Sequence, residues 1–225
     1  MTRQLSDTVE DYLKIIYHLS DGEGRVSTGL IAEELTVSPA SVTDMVQRLA
    51  AEDPPLLDYR KHQGAALTEA GKKAALETIR HHRLLELFLH EVLGFSWDQV
   101  HVEAERLEHV ISEEFEERVA AVLGDPRRGL HGEPIPSSSL EMPDQDCCHL
   151  QDLRPNQKGK IQEVNDDDPG LLRYLASQGL VPGVEFTVID YSSYDGNLRI
   201  QPMGEKDDFV LGVSITSQIL VEVLV

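Results

Sequence analysis

The 225-residue sequence predicts a mainly α protein with a small all-β domain: an N-terminal winged helix-turn-helix, a helical middle and a C-terminal SH3-like barrel. Three observations predict it. Two short helical stretches joined by a tight turn lead into a hairpin, two long stretches of helical periodicity follow, and five short strand-like runs fill the last 75 residues.

Residues 7–20 carry apolar side chains at 9, 12, 13, 16, 17 and 19, an amphipathic helix with Asp7 or Thr8 as cap and Gly22 and Gly24 ending it. Residues 27–35 and 39–49 then form two short helices around Thr36-Val37-Ser38. The second opens with a Ser cap and Pro39 at its first position, as a recognition helix does. Ser38, Ser41 and Thr43 offer small donors to phosphates and base edges there. Two strand-like runs within 56–68 enclose a basic turn with Arg60 and Lys61 at its tip, a wing placed to reach a phosphate backbone.

A long helix is expected over 69–93, with more apolar positions than one face can hold, which points to a partner helix or second subunit. It carries His82 and Glu86 at i, i+4, a spacing that lets two side chains chelate one ion. His81 and His90 lie off that line and read as surface residues. A second long helix is expected over 98–123, with Glu113, Glu114, Glu116 and Glu117 solvated around it. From Gly124 to about Gln151, Pro, Gly and Ser mark a linker with some ordered turns. Its Asp146-Cys147-Cys148-His149 matches no standard zinc spacing. The barrel strands are 159–164, 185–190, 197–200, 209–211 and 218–223, with a short helix from Pro169 to Gln178. The expected division is a DNA-binding domain at 1–73, a helical metal-binding and dimerisation domain at 74–142, a linker at 143–150 and the barrel at 151–225.

The chain is 40% hydrophobic and 27% charged and holds no long apolar run, so a soluble, cytoplasmic protein without a membrane partner is expected. The adjacent Cys147 and Cys148 imply no disulfide framework. A formal net charge of −20 argues against nucleic acid at first sight, because phosphate binding normally needs a basic surface. The acid is unevenly spread, however. Residues 76–125 hold 12 Asp and Glu against 4 Lys and Arg, a balance that suits a cation.

Within that region lies His101-Val-Glu-Ala-Glu-Arg-Leu-Glu-His109. As helix, at about 100° per residue, it places His101, Glu105, Glu108 and His109 within roughly 100° of one another. Such a side is either a solvated polar face or a set of ligands for a divalent metal. No Gly-rich phosphate loop, nucleophile motif or internal repeat accompanies it, and no enzyme is expected.

The winged helix, the segments His82-Arg-Leu-Leu-Glu86 and His101-x-Glu-x-Glu-x-x-Glu-His109, the first-helix run Asp7-Thr-Val-Glu-Asp-Tyr-Leu-Lys-Ile-Ile-Tyr17 and the terminal barrel together resemble the diphtheria-toxin-repressor family of metal-dependent transcriptional regulators. The resemblance covers nearly the whole chain. It implies two metal sites per subunit: a primary site of Asp11, Glu105, Glu108 and His109, and a second of His82, Glu86 and His101. The barrel would lend Glu163 and Asp166 to the second site, with Asp167 or Asp168 as substitutes for Asp166.

The resemblance further implies a homodimer on double-stranded operator DNA, built on residues 69–123. Iron-responsive members place sulfur ligands where this chain has Asp11 and Glu105, so the carboxylates favour Mn2+, with Fe2+ or Zn2+ as the alternative. Lys14 stands where some manganese regulators carry another carboxylate, which implies separate sites rather than a coupled cluster. Asp44 replaces a Gln of the iron-responsive relatives, so operator sequence does not carry over. The expected mechanism is an ion that ties the first helix to the long helix and so selects the DNA-binding arrangement. A metal-storage or metal-dependent hydrolytic protein is the rival from another class.

Overall fold

The computed structural model describes residues 5–20, 24–165 and 168–224. Gly22, Asp166 and Asp167 lie outside the described residues. Two compact units emerge: Met1–His82 with Arg106–Glu116 and Pro136–Met142, and Arg83–Glu105 with Glu117–Ile135 and Pro143–Val225.

In the first unit, α1 (Asp7–Leu19), α2 (Thr28–Glu34) and α3 (Pro39–Ala50) precede β1 (Leu57–Arg60), β2 (Gly64–Leu67) and the start of α4 (Glu69–Glu91). Helix α1 buries Val9, Tyr12, Leu13, Ile16 and Tyr17, the stripe its three-and-four spacing dictates. Its N-cap is Ser6 rather than Asp7 or Thr8, and Asp7 instead lies in the first turn, where a carboxylate meets the positive end of the helix dipole. Side-chain caps set the turn: the Leu30 amide donates to Ser27 Oγ at 3.2 Å and the Ser41 amide to Ser38 Oγ at 3.1 Å. Val42, Val46 and Leu49 of α3 enter the core, leaving Ser41, Asp44, Gln47 and Arg48 exposed.

The antiparallel β1–β2 hairpin gains a third edge at Val26, which exchanges backbone hydrogen bonds with Ala65. Gly64 permits this approach. Its φ is +92° and a Cβ there would stand 2.1 Å from the Val26 carbonyl oxygen.

The expected helix over 98–123 is two helices, α5 (Val100–Leu107) and α6 (Glu113–Val122). The reason is local: Ser112 caps α6, its Oγ accepting from the Phe115 amide at 3.3 Å, and Glu113, Glu114 and Glu116 fill the first turn where the dipole favours them. Residues 108–112 are thereby released from helix.

In the second unit, Leu84, Leu87, Val119, Ala120 and Ile135 form one core cluster. The barrel contributes β3 (Cys148–His149), β4 (Lys158–Val164), α7 (Pro169–Ser177), β5 (Glu185–Tyr191), β6 (Leu198–Pro202), β7 (Phe209–Leu211), α8 (Val213–Thr216) and β8 (Ile219–Leu224). Its antiparallel sheet runs β3-β8-β4-β5-β6-β7 around Leu150, Leu153, Ile161, Phe186, Val188, Ile200 and Val221. All five expected strands are present, and β3 is a sixth, in a segment read as linker.

That linker reading needs a further correction, because residues 131–136 are buried. The Val164 amide donates to the His131 carbonyl at 2.9 Å, seating this turn on β4. Gly132, with φ +94°, makes the seat possible, since a Cβ would meet the Gln162 carbonyl oxygen at 1.8 Å. Among the described residues no helix is long and apolar enough to cross a membrane.

Candidate metal centres

In the first unit, α1 offers Asp11, while the break after α5 turns Glu108 and His109 toward it. Asp11, Glu108 and His109 each present a ligand atom, all within 4.8 Å of one another. His109 Nε2 lies 3.0 Å from Asp11 Oδ1 and 3.4 Å from Glu108 Oε1. The other ring nitrogen, Nδ1, is 2.6 Å from Glu10 Oε2. An imidazole that donates from one nitrogen to a carboxylate presents the other to an ion in a fixed orientation. Nε2 is therefore the nitrogen left to face an ion, and Glu10, absent from the sequence expectations, orients the ring. Hydrogen bonds to Asp11 and then Glu10 push the His109 pKa up to about 10.

Glu108 has no exposed side-chain surface. His82 Nδ1 lies 2.5 Å from its Oε2, and Lys14 Nζ donates to Oε1 at 2.5 Å. Burial works against its charge, but these two neighbours outweigh it and hold the carboxyl below its ordinary range. Its main-chain carbonyl accepts from His81 Nδ1 at 3.0 Å.

His81 and Glu116 depart from the sequence expectation. His81 is buried and its Nε2 lies 3.0 Å from Glu116 Oε2, while Arg80 Nε donates to Glu116 Oε1 at 2.6 Å. Neither is a solvated surface group. Burial lowers the His81 pKa, but hydrogen bonds to Glu116 and to the Glu108 carbonyl raise it more.

In the second unit, Glu86, His131 and Glu133, all buried, bring ligand atoms within 4.8 Å of one another. His101 Nδ1 is 3.3 Å from Glu86 Oε1, and His131 Nδ1 is 3.7 Å from Glu86 Oε2. His131 Nε2 donates to the Trp97 carbonyl at 3.2 Å, which turns Nδ1 toward Glu86. Two buried carboxylates beside imidazole nitrogens form a donor set whose charge is costly to bury without a cation. Sequence reasoning passed over His131 and Glu133 because glycines and prolines surround them. The one available signal was a His and a Glu two residues apart, next to the apolar Ile135.

Glu105 is half-buried in the second unit, its Oε1 3.9 Å from His101 Nε2. Glu163, half-buried on β4, has its Oε2 3.5 Å from Gln145 Nε2, and Asp166 is outside the described residues. Asp168 caps α7, accepting from the Gly170 amide at 2.7 Å. Cys147 and Cys148 are free thiols and enter no ligand group among the described residues. Both centres offer oxygen and imidazole donors without sulfur, a set that fits a divalent ion of the manganese-to-zinc series.

Of the expected DNA contacts, Ser41, Arg60 and Lys61 are exposed. Ser38 is also exposed but its hydroxyl serves as the α3 cap, and the Thr43 hydroxyl donates to the Pro39 carbonyl at 2.8 Å.

Three family descriptions match the chain in succession. The iron dependent repressor N-terminal DNA binding domain matches residues 4–65, the iron dependent repressor metal binding and dimerisation domain residues 68–137, and the FeoA domain residues 148–223. The iron-dependent repressor IdeR of Mycobacterium tuberculosis is 34% identical over 198 residues, covering 82% of this chain and 85% of its own. The regulator MntR of Oceanobacillus iheyensis is 41% identical over 105 residues, 47% of this chain and 69% of its own. Among solved structures, a manganese-dependent transcriptional repressor in complex with manganese superposes with a TM-score of 0.88 at 34% identity, covering 96% of this chain and 100% of that one. With the winged helix, two sulfur-free ligand clusters and the barrel, these matches establish that the chain belongs to the diphtheria toxin and iron-dependent repressor family of metal-dependent, DNA-binding transcriptional regulators, and is not an enzyme.

Proposed function

We propose that the chain is a manganese-responsive regulator of metal-ion homeostasis, acting in the cytoplasm as a homodimer on operator DNA, with two ion sites per subunit. The observation that carries this reading is the convergence of Asp11, on α1, with Glu108 and His109. Mn2+ shared by these residues would fix α1 against residues 106–116 and so steady the winged helix that α1 supports. An ion that stabilises the DNA-binding arrangement is, by linkage, bound more tightly when DNA is present.

Oxygen donors at Asp11 and at Glu105, which joins the primary set on the sequence resemblance, favour Mn2+ over softer ions. The second site comprises Glu86, His101, His131 and Glu133, with His82, Glu163 and Asp166 retained from the sequence reading. The boundaries proposed are 1–73 for DNA binding, 74–142 for metal binding and dimerisation, 143–150 for the linker and 151–225 for the barrel. Exposed Val92, Leu93, Val102 and Val122 support burial against a second copy. The likeness to iron-dependent IdeR keeps Fe2+ as the second reading.

Anaerobic calorimetry with Mn2+, Fe2+ and Zn2+ on the wild type and on Glu105→Cys tests the ion. Two Mn2+ per subunit, and a shift of preference toward Fe2+ or Zn2+ in Glu105→Cys, are expected. An unchanged preference would undo the argument from ligand hardness.

A further inference from the structure

Lys14 and Asp11 stand one helical turn apart on α1, so the same face presents a ligand and a cation to one carboxylate. The Lys14 ammonium donates at 2.5 Å to Glu108 Oε1, the oxygen that faces His109 Nε2 at 3.4 Å. The other oxygen, Oε2, is engaged by His82. The oxygen most available to an ion held by Asp11 and His109 is therefore already bonded to a positive charge. Glu108 is wholly buried and the Lys14 side chain only 12% exposed, so solvent screens the pair little.

We infer that Lys14 is an affinity-setting residue: a tethered cation that competes with the metal ion for Glu108 Oε1 and raises the ion concentration at which the site fills. This inference rests on the proposed primary site. A divalent ion on Oε1 meets like charge at close range unless the ammonium leaves, and the flexible four-carbon stem of lysine allows it to swing toward solvent. Ion binding at this centre is thus an exchange of cations. Lys14 links α1 to Glu108 in one state and the ion makes that link in the other. The exchange also explains how Glu108 stays charged in a dry setting: it always has a cation.

The opposite role, in which Lys14 merely aligns Glu108 for the ion, predicts the opposite sign. The test is Mn2+ binding by the full-length chain, followed by electron paramagnetic resonance of free Mn2+, for wild type, Lys14→Met and Lys14→Gln, each with and without Asp11→Ala. Lys14→Gln keeps a hydrogen-bond donor at Glu108 and guards against loss of fold, which circular dichroism monitors. Tethered competition predicts roughly tenfold tighter binding at one site in both variants, with the gain absent when Asp11 is also replaced. It also predicts a lower melting temperature in chelator and a larger rise on adding Mn2+. Unchanged or weaker Mn2+ binding in the folded variants would overturn the inference. A wild type whose Mn2+ binding ignores Asp11→Ala would instead strike the proposed site itself, so the two failures are distinct.

Discussion

The indole of Trp97 stacks on the imidazole of His131, ring centroids 5.5 Å apart and planes inclined by 26°, while the Trp97 carbonyl holds His131 Nε2 at 3.2 Å. Trp97 is the only tryptophan in the chain. Its fluorescence therefore reports on the ring proposed as a ligand of the second site and on no other indole. Mn2+ added to the wild type should quench this emission, and the quenching should persist in Asp11→Ala but disappear in His131→Ala. Emission that responds to Mn2+ equally in His131→Ala would remove His131 from the ligand set.

Proton release offers a second measurement. His109, with its pKa raised to about 10 by Asp11 and Glu10, is protonated at pH 7, whereas a metal ligand must be neutral at the coordinating nitrogen. Filling the primary site at pH 7 should release about one proton per subunit, seen as a binding enthalpy that depends on the ionisation enthalpy of the buffer. The sign for the ion-free protein follows from the raised value. The stabilisation is fully present below the ordinary histidine pKa near 6.5 and is lost as pH rises through about 10. His109→Ala should flatten that part of the pH–stability curve.

The break between α5 and α6 is a third target. Ser112→Ala removes the Oγ that accepts from the Phe115 amide, and loss of such a cap costs about 1 kcal/mol, or roughly 2–4 °C of melting temperature in a chain of this size. The effect should appear in chelator, where no ion holds the preceding Glu108 and His109. A melting temperature unchanged by Ser112→Ala would show that the cap does not set this break.

At the wing, Arg60 is exposed at the end of β1, with a 3.3 Å contact to the exposed Asp58. Arg60→Ala should weaken DNA binding by a similar factor on every sequence tested and reduce the slope of log affinity against log salt by about one. Sequence-dependent losses would instead indicate a base contact.

Periodicity made α1, α3 and α4 legible, because an apolar stripe every three or four residues has few alternatives. The barrel strands were equally plain, each bounded by turn residues. That Asp11 would meet Glu108 and His109 was implied by the family resemblance and not by local pattern. The interruption at 108–112 was not legible, because Val110 and Ile111 continue the helical pattern and only Ser112 marks a new start. His131 and Glu133 were hidden by a segment that reads as linker by composition but is buried by a backbone hydrogen bond to Val164, a tertiary contact that local pattern does not encode. Glu10 looked like an ordinary polar residue of an amphipathic helix, and Lys14 stood out only as a departure from a carboxylate of some manganese regulators. Their roles depend on what the chain brings opposite them nearly a hundred residues later.

In the proposed mechanism an ion shared by Asp11, Glu108 and His109 licenses DNA binding. The direct measurement selects duplexes from a random pool in the presence of Mn2+, then follows their binding anaerobically by fluorescence anisotropy, with Mn2+ and with chelator, for wild type and Asp11→Ala. Tight binding by the wild type in Mn2+, lost in chelator and much weakened in Asp11→Ala, is the predicted result. Full-strength binding in chelator, or an Asp11→Ala chain that binds as the wild type does, would contradict it.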